Sequence, residues 1–203
     1  MKLAAHKKAI GAVSVGLLLL LTACTPINSA ATVGSKSISV DKVQKTVAEI
    51  LKERSKVSTA GMNLETGETL NRSQLSFYVI SELLFQVGKK FKITITEQEI
   101  TDQIKAVTTQ VGGSANLPTA MVNAGIAPSN LREYFRSYLL SSNMSKALEI
   151  AGVDKANVSA AVQKLVAAEA KSLKVSINPR YGAWDPETAA ISTAALANGS
   201  VTK

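Results

Sequence analysis

Few side chains in this 203-residue sequence could carry out covalent or metal chemistry. Cys24 is the only cysteine and His6 the only histidine, and both lie within the first 24 residues. The rest of the chain therefore offers no Ser-His-Asp or Cys-His catalytic group, no His- or Cys-ligated zinc site and no disulfide. Asp and Glu could still bind calcium, but no segment has the spacing of a calcium loop, and no P-loop or Gly-x-Gly-x-x-Gly motif occurs. We expect a protein that is not an enzyme and has no cofactor and no metal site.

Cys24 ends a segment that has the features of an export signal. A basic start with three lysines precedes an apolar run from Ile10 to Leu21. This run is too short to span a bilayer and is typical of a signal peptide. The motif Leu21-Thr22-Ala23-Cys24 resembles a bacterial lipobox, which implies cleavage after Ala23 and attachment of lipid to Cys24. The alternative is an ordinary signal peptide with an incidental cysteine. The lipobox implies a protein anchored by lipid at the extracytoplasmic face of the cell membrane.

The charge of the remaining chain is mildly basic. Removal of the leader, which holds three lysines and no acidic residue, lowers the formal net charge from +8 to +5. Such a balance suits an anionic envelope surface or mixed protein clients. No dense Lys/Arg block with interleaved aromatic residues is present, so we expect no nucleic-acid partner.

Apolar periodicity predicts a mainly α-helical lobe with a few short strands. The most apolar helix, 73–90, is expected to be central, and Thr96 with Glu99 forms a capping box for the helix that follows. Five helices are predicted beside the central one: after a cap at Ser39 or Asp41, at 97–111, at 117–123, from Pro128 to Gly152, and after Asp154. Extended segments are predicted at 32–34, 37–40 and 174–178, and a loop at 58–72.

Four units follow from this pattern. Residues 1–23 are the leader, 24–31 a polar tether, 32–184 one helical domain and 185–203 a flexible tail. The tail boundary rests on its few bulky apolar residues.

The stretch from Leu75 to Ile100 carries the most informative resemblance. It reads Leu-x-x-x-Val-Ile-x-x-Leu-Leu-x-x-x-Gly-Lys-Lys-x-x-Ile-x-Ile-Thr-x-x-Glu-Ile, and it resembles the N-terminal chaperone module of the SurA and PrsA family of envelope foldases. The segments 33–40 and 117–140 are also similar to parts of that module. The resemblance covers residues 32–178.

The resemblance implies a helical lobe whose last strand returns beside the first. Val175–Ile177 is then expected to pair with the strand near Val33 or Ile38. The chain has no room for the parvulin-type isomerase domain of the longer members, so we expect no isomerase activity. The segment from Asn178 to Pro186 resembles a closing stretch of short actinobacterial lipoproteins.

Three hypotheses for function follow. The first is a lipid-anchored chaperone-like protein that binds unfolded or newly exported polypeptides; its partners would be these polypeptides and the membrane. The second is an adaptor or structural lipoprotein with one envelope partner, and the third a degenerate peptidyl-prolyl isomerase.

Tyr134, Phe135 and Tyr138 lie close together on one helix and could bind peptide, although aromatic residues at this spacing also suit a core.

Overall fold

The computed structural model describes residues 28–193, so Cys24, the leader and the last ten residues lie outside the described residues. Within this range the chain forms six α-helices and five short strands. This confirms the prediction of a mainly α-helical fold with a small β pairing. The elements are β1 (Ser29–Val33), β2 (Lys36–Ser39), α1 (Val40–Arg54), α2 (Gly67–Lys90), α3 (Glu97–Gln110), α4 (Leu117–Asn123), α5 (Leu131–Ile150), α6 (Val158–Ser172), β3 (Ser176–Ile177), β4 (Ala183–Asp185) and β5 (Ala190–Ser192).

The two ends of the domain meet in an antiparallel sheet of order β2-β1-β3. Ala31 lies opposite Ile38 on one side and Ile177 on the other. The predicted pairing of the strand near Val33 with the strand at 175–177 is therefore correct. The predicted tether is too long by three residues, because β1 begins at Ser29 and its small side chains are fully buried. The small side chains let the β1 backbone lie close to α2. A prediction based on bulky apolar residues misses this strand, because its buried side chains are small.

Local sequence signals place the starts of α1 and α3. The Ser39 hydroxyl accepts the amide of Lys42 at 3.1 Å, so Ser39 is the α1 cap. At α3, Thr96 accepts the Glu99 amide and Glu99 accepts the Thr96 amide, which confirms the capping box. These contacts satisfy amides that have no partner within the helix.

Helix α2 is the centre of the lobe. It packs against α1, α5, α6 and β1, and Leu75, Val79 and Leu83 have no exposed surface. The helix begins at Gly67, six residues before the predicted start at Ser73. The polar and glycine-containing sequence predicts a loop there, but Leu70 is buried in the core and holds the extra turn in place.

The folded part continues beyond the predicted end at residue 184. Strands β4 and β5 form a hairpin in which Trp184 lies opposite Ile191. Ile191 and Ala189 are buried in the main apolar cluster. The buried Ile191 and Ala189 hold 185–193 against the lobe together with the hydrogen bond from Gln163 to the Thr188 carbonyl and the ion pair of Lys171 with Glu187. The sequence pattern predicts a flexible tail over this length of chain.

Candidate functional site

Two cavities meet on one side of the lobe. The first, which we call the α3–α5 groove, measures about 320 Å³ and lies between α3, α4 and α5. The second, which we call the Arg54 pocket, measures about 390 Å³ and lies between the end of α1, the start of α2 and the segment that links α4 to α5. Tyr134 and Ile126 line both cavities. The two cavities are therefore adjacent, and Tyr134 stands between them.

The structure brings the three predicted peptide-binding residues into one wall of the α3–α5 groove. Tyr134 and Tyr138 are 37% and 51% exposed, whereas Phe135 is 5% exposed. Phe135 therefore packs mainly in the core. This agrees with the alternative interpretation of aromatic residues at this spacing. The two tyrosines keep aromatic surface available to a ligand.

Tyr134 is held by rings on two sides. Its ring meets the Phe135 ring edge-on, with centroids 5.4 Å apart, and lies nearly parallel to the Phe77 ring at 6.5 Å. Such arrangements are favourable for aromatic pairs and fix the orientation of the ring. Phe77 also lines the Arg54 pocket. Phe77 is not among the residues that the sequence pattern predicts for the site, because its place there depends on how α2 packs against α5.

Helix α3 forms the outer wall of the groove and is attached to α5 by charge. The Glu97 carboxylate accepts hydrogen bonds from Arg132 Nη2 at 2.6 Å and from Arg136 Nη2 at 2.5 Å. These two bonds hold the pKa of Glu97 below its usual value of 4.5. Ile100 is the one fully buried side chain of α3. The position of α3 thus depends on Ile100, on the half-buried Ile104 and Val107, and on an exposed ionic contact with α5.

Buried polar groups fix the inner wall of the Arg54 pocket. The Tyr78 hydroxyl lies 2.6 Å from Thr46 Oγ1, and Asn130 Nδ2 donates to it at 2.8 Å. Gln74 Nε2 donates to the Gly125 carbonyl at 3.1 Å. Because these groups are buried, their hydrogen bonds specify one arrangement of α1, α2 and the α4–α5 link.

Arg54 closes the pocket at the end of α1. Its Nη1 donates to the Glu65 carbonyl at 2.7 Å. Its Nε is buried and has no hydrogen-bond acceptor among residues 28–193. Nothing in the sequence pattern marks Arg54 as a site residue, because its role depends on the fold of the loop that follows α1.

Two negative findings apply to residues 28–193 alone. No group of three or more His, Cys, Asp or Glu side chains there could hold a metal ion. No helix in that range combines the length and the apolar character that crossing a membrane requires. Cys24, the predicted lipidation site, lies outside this range.

Comparison with known proteins identifies one family. Residues 9–145 match the model of the SurA-like N-terminal domain. The matched stretch includes every residue that lines the two cavities and ends within α5, before α6 and β3–β5. No curated protein and no solved structure matches the chain.

Proposed function

The chain belongs to the SurA-like N-terminal domain family, and from this membership we propose that it binds unfolded or newly exported polypeptides as a chaperone-like protein. The SurA N-terminal domain is a chaperone-type module rather than a catalytic one. The proposed clients are polypeptides with exposed apolar segments. No isomerase step is part of the proposal.

The observation that carries the proposal is the pair of adjacent cavities with two exposed tyrosines between and beside them. Each cavity has a volume within the range of ligand sites, about 300–1,000 Å³, and the two adjacent cavities offer space for successive residues of an extended chain. Tyrosine contributes apolar contact area and keeps a polar end in water. A surface of this kind suits ligands that differ in sequence but share apolar side chains.

Anchoring by lipid on Cys24 is the second part of the proposal. Residues 25–28 separate Cys24 from β1. Even fully extended, the chain from Cys24 to Ser29 spans only about 17 Å. A lipid on Cys24 would thus keep the lobe close to the membrane surface and raise its effective concentration near emerging clients.

The chaperone activity can be tested by aggregation of a denatured client. We expect the 25–203 fragment to suppress light scattering when it is present in several-fold molar excess. The double variant Tyr134→Ala/Tyr138→Ala should lose most of this effect. Phe85→Ala is the matched control, because Phe85 is 45% exposed but lines neither cavity.

Two results would contradict the proposal. The first is no suppression by the unchanged fragment at several-fold excess. The second is cross-linking in the native cell to one dominant partner instead of many exported polypeptides, which would favour the adaptor hypothesis.

The anchor has its own test. We expect Cys24→Ala to abolish incorporation of radiolabelled lipid and to release or mislocalise the protein, because Cys24 is the only cysteine. Cys24→Ser serves as a closer size match. Lipid-labelled, membrane-bound protein in either variant would contradict lipidation at this residue.

A further inference from the structure

The Arg54 pocket contains a charged donor that the fold leaves partly unused. Arg54 Nη1 is engaged by the Glu65 carbonyl, whereas the buried Nε has no acceptor within residues 28–193. In the same range no carboxylate lies within 4.0 Å of the Arg54 guanidinium. A buried donor without an acceptor costs free energy, and buried polar groups are nearly always paired. A bound acceptor would remove that cost.

The free edge of the guanidinium defines the acceptor. With Nη1 engaged, Nε and Nη2 form the remaining edge, and this pair of parallel donors matches the two oxygens of a carboxylate. Because Nε has almost no accessible surface in this structure, a carboxylate reaches it only when the groups that cover Nε shift. Lysine would provide only a point charge. Glu65 is the one acidic residue that lines the pocket, and Arg54 contacts it through its main-chain carbonyl. The Glu65 side chain is exposed to solvent, which screens its repulsion of a second carboxylate.

The surroundings of Arg54 define what accompanies the carboxylate. The Phe77 and Tyr134 rings line the same pocket and offer apolar surface. The buried amides of Gln74 and Asn130 are already tied to Gly125 and Tyr78. Charge recognition therefore falls to Arg54, and apolar contact falls to the two rings.

We propose that the Arg54 pocket binds a carboxylate group of a peptide, with a neighbouring apolar side chain against Phe77 and Tyr134. The carboxylate is either a free C-terminus or an Asp or Glu side chain. This inference rests on the proposed function, since the preceding residues of the peptide would continue past Tyr134 into the α3–α5 groove. It adds a preference for acidic groups that apolar burial alone would not give.

The experiment compares matched peptides on the full-length purified chain by fluorescence anisotropy. One apolar peptide is prepared in two matched pairs. The first pair has a free or an amidated C-terminus. In the second pair the C-terminus is amidated and a single internal residue is Glu or Gln. We expect the free acid or the internal Glu peptide to bind about tenfold tighter than its neutral partner. The arm in which this occurs identifies the source of the carboxylate.

Variants connect the preference to Arg54. In Arg54→Gln the tenfold ratio should fall to about one, while the amidated peptide keeps its affinity and thereby reports an intact fold. In Arg54→Lys the ratio should be intermediate. Lys52→Gln is the matched control, because it removes the same charge from an exposed position of the same helix turn, and it should keep the full ratio.

The outcomes separate this inference from the proposed function. Equal affinities for charged and neutral peptides in the unchanged chain overturn the carboxylate site and leave polypeptide binding intact. A ratio that persists in Arg54→Gln likewise overturns it. If none of the peptides binds to any version of the chain, both the inference and the proposed function fail.

Discussion

At the scale of single residues, the most informative group is the buried contact among Thr46, Tyr78 and Asn130. Tyr78 is 3% exposed and its hydroxyl serves both neighbours. We expect Tyr78→Phe to lower the free energy of unfolding by about 1–3 kcal/mol, because the buried Asn130 amide loses its partner. Urea unfolding followed by circular dichroism measures the change. Tyr138→Phe removes the hydroxyl of a residue that is 51% exposed and should change stability by less than about 0.5 kcal/mol. Equal losses in the two variants would contradict the role of the buried contact.

At the scale of elements, α3 is held to α5 by Glu97, and this contact depends on pH. The folded-state pKa of Glu97 is lowered, so its stabilising effect is present above the unfolded value of 4.5 and is lost as pH falls through the folded pKa. We expect the Glu97 carboxyl to titrate below 4.5 by NMR, and to titrate closer to 4.5 in Arg132→Gln/Arg136→Gln. Glu99 is an internal control, because its pKa is lowered by hydrogen bonds from Thr96 instead. Unchanged titration of Glu97 in the double variant would show that the arginines do not hold α3.

Helix α2 carries the core, and one position tests this directly. Leu84 is 7% exposed, whereas its neighbour Phe85 is 45% exposed. A carboxylate at position 84 would have to be buried without a partner, which costs several kcal/mol. We expect Leu84→Asp to lose the cooperative thermal transition and Phe85→Asp to keep it. A melting temperature for Leu84→Asp within a few degrees of the unchanged protein would contradict the central position of α2.

The same elements show how far the sequence predicts the fold. The capping box at Thr96 and Glu99 and the stripe of α2 were predicted correctly because both depend on residues close in sequence. The start of α2 and the end of the folded part were misplaced because Leu70 and Ile191 are buried by distant segments. The Arg54 pocket could not be predicted for the same reason, since the side chains of Arg54, Phe77 and Tyr134 come from three helices.

At the scale of the whole molecule, the stretch that matches the family is shorter than the body that packs together. The match ends at residue 145, but α6 packs against both α2 and α5, and β3 pairs with β1. Lys90 of α2 also forms an ion pair with Glu169 of α6, whose side chain is 5% exposed. The matched stretch alone would therefore leave one face of α2 and one edge of β1 uncovered.

Truncation tests whether closure by the C-terminal elements is needed for folding. We expect a chain that ends after Gly152 to be helical but loosely packed, because it loses α6, β3 and the β4–β5 hairpin together. A chain that ends after Thr193 keeps every described element and should melt like the full protein. A chain that ends after Asp185 loses the buried Ala189 and Ile191 and should lie between the two. Circular dichroism melts and binding of a hydrophobic dye distinguish a cooperative fold from a loose one. Equal melting temperatures for the chains that end at Gly152 and Thr193 would mean that the family-matched stretch folds without its closing strand.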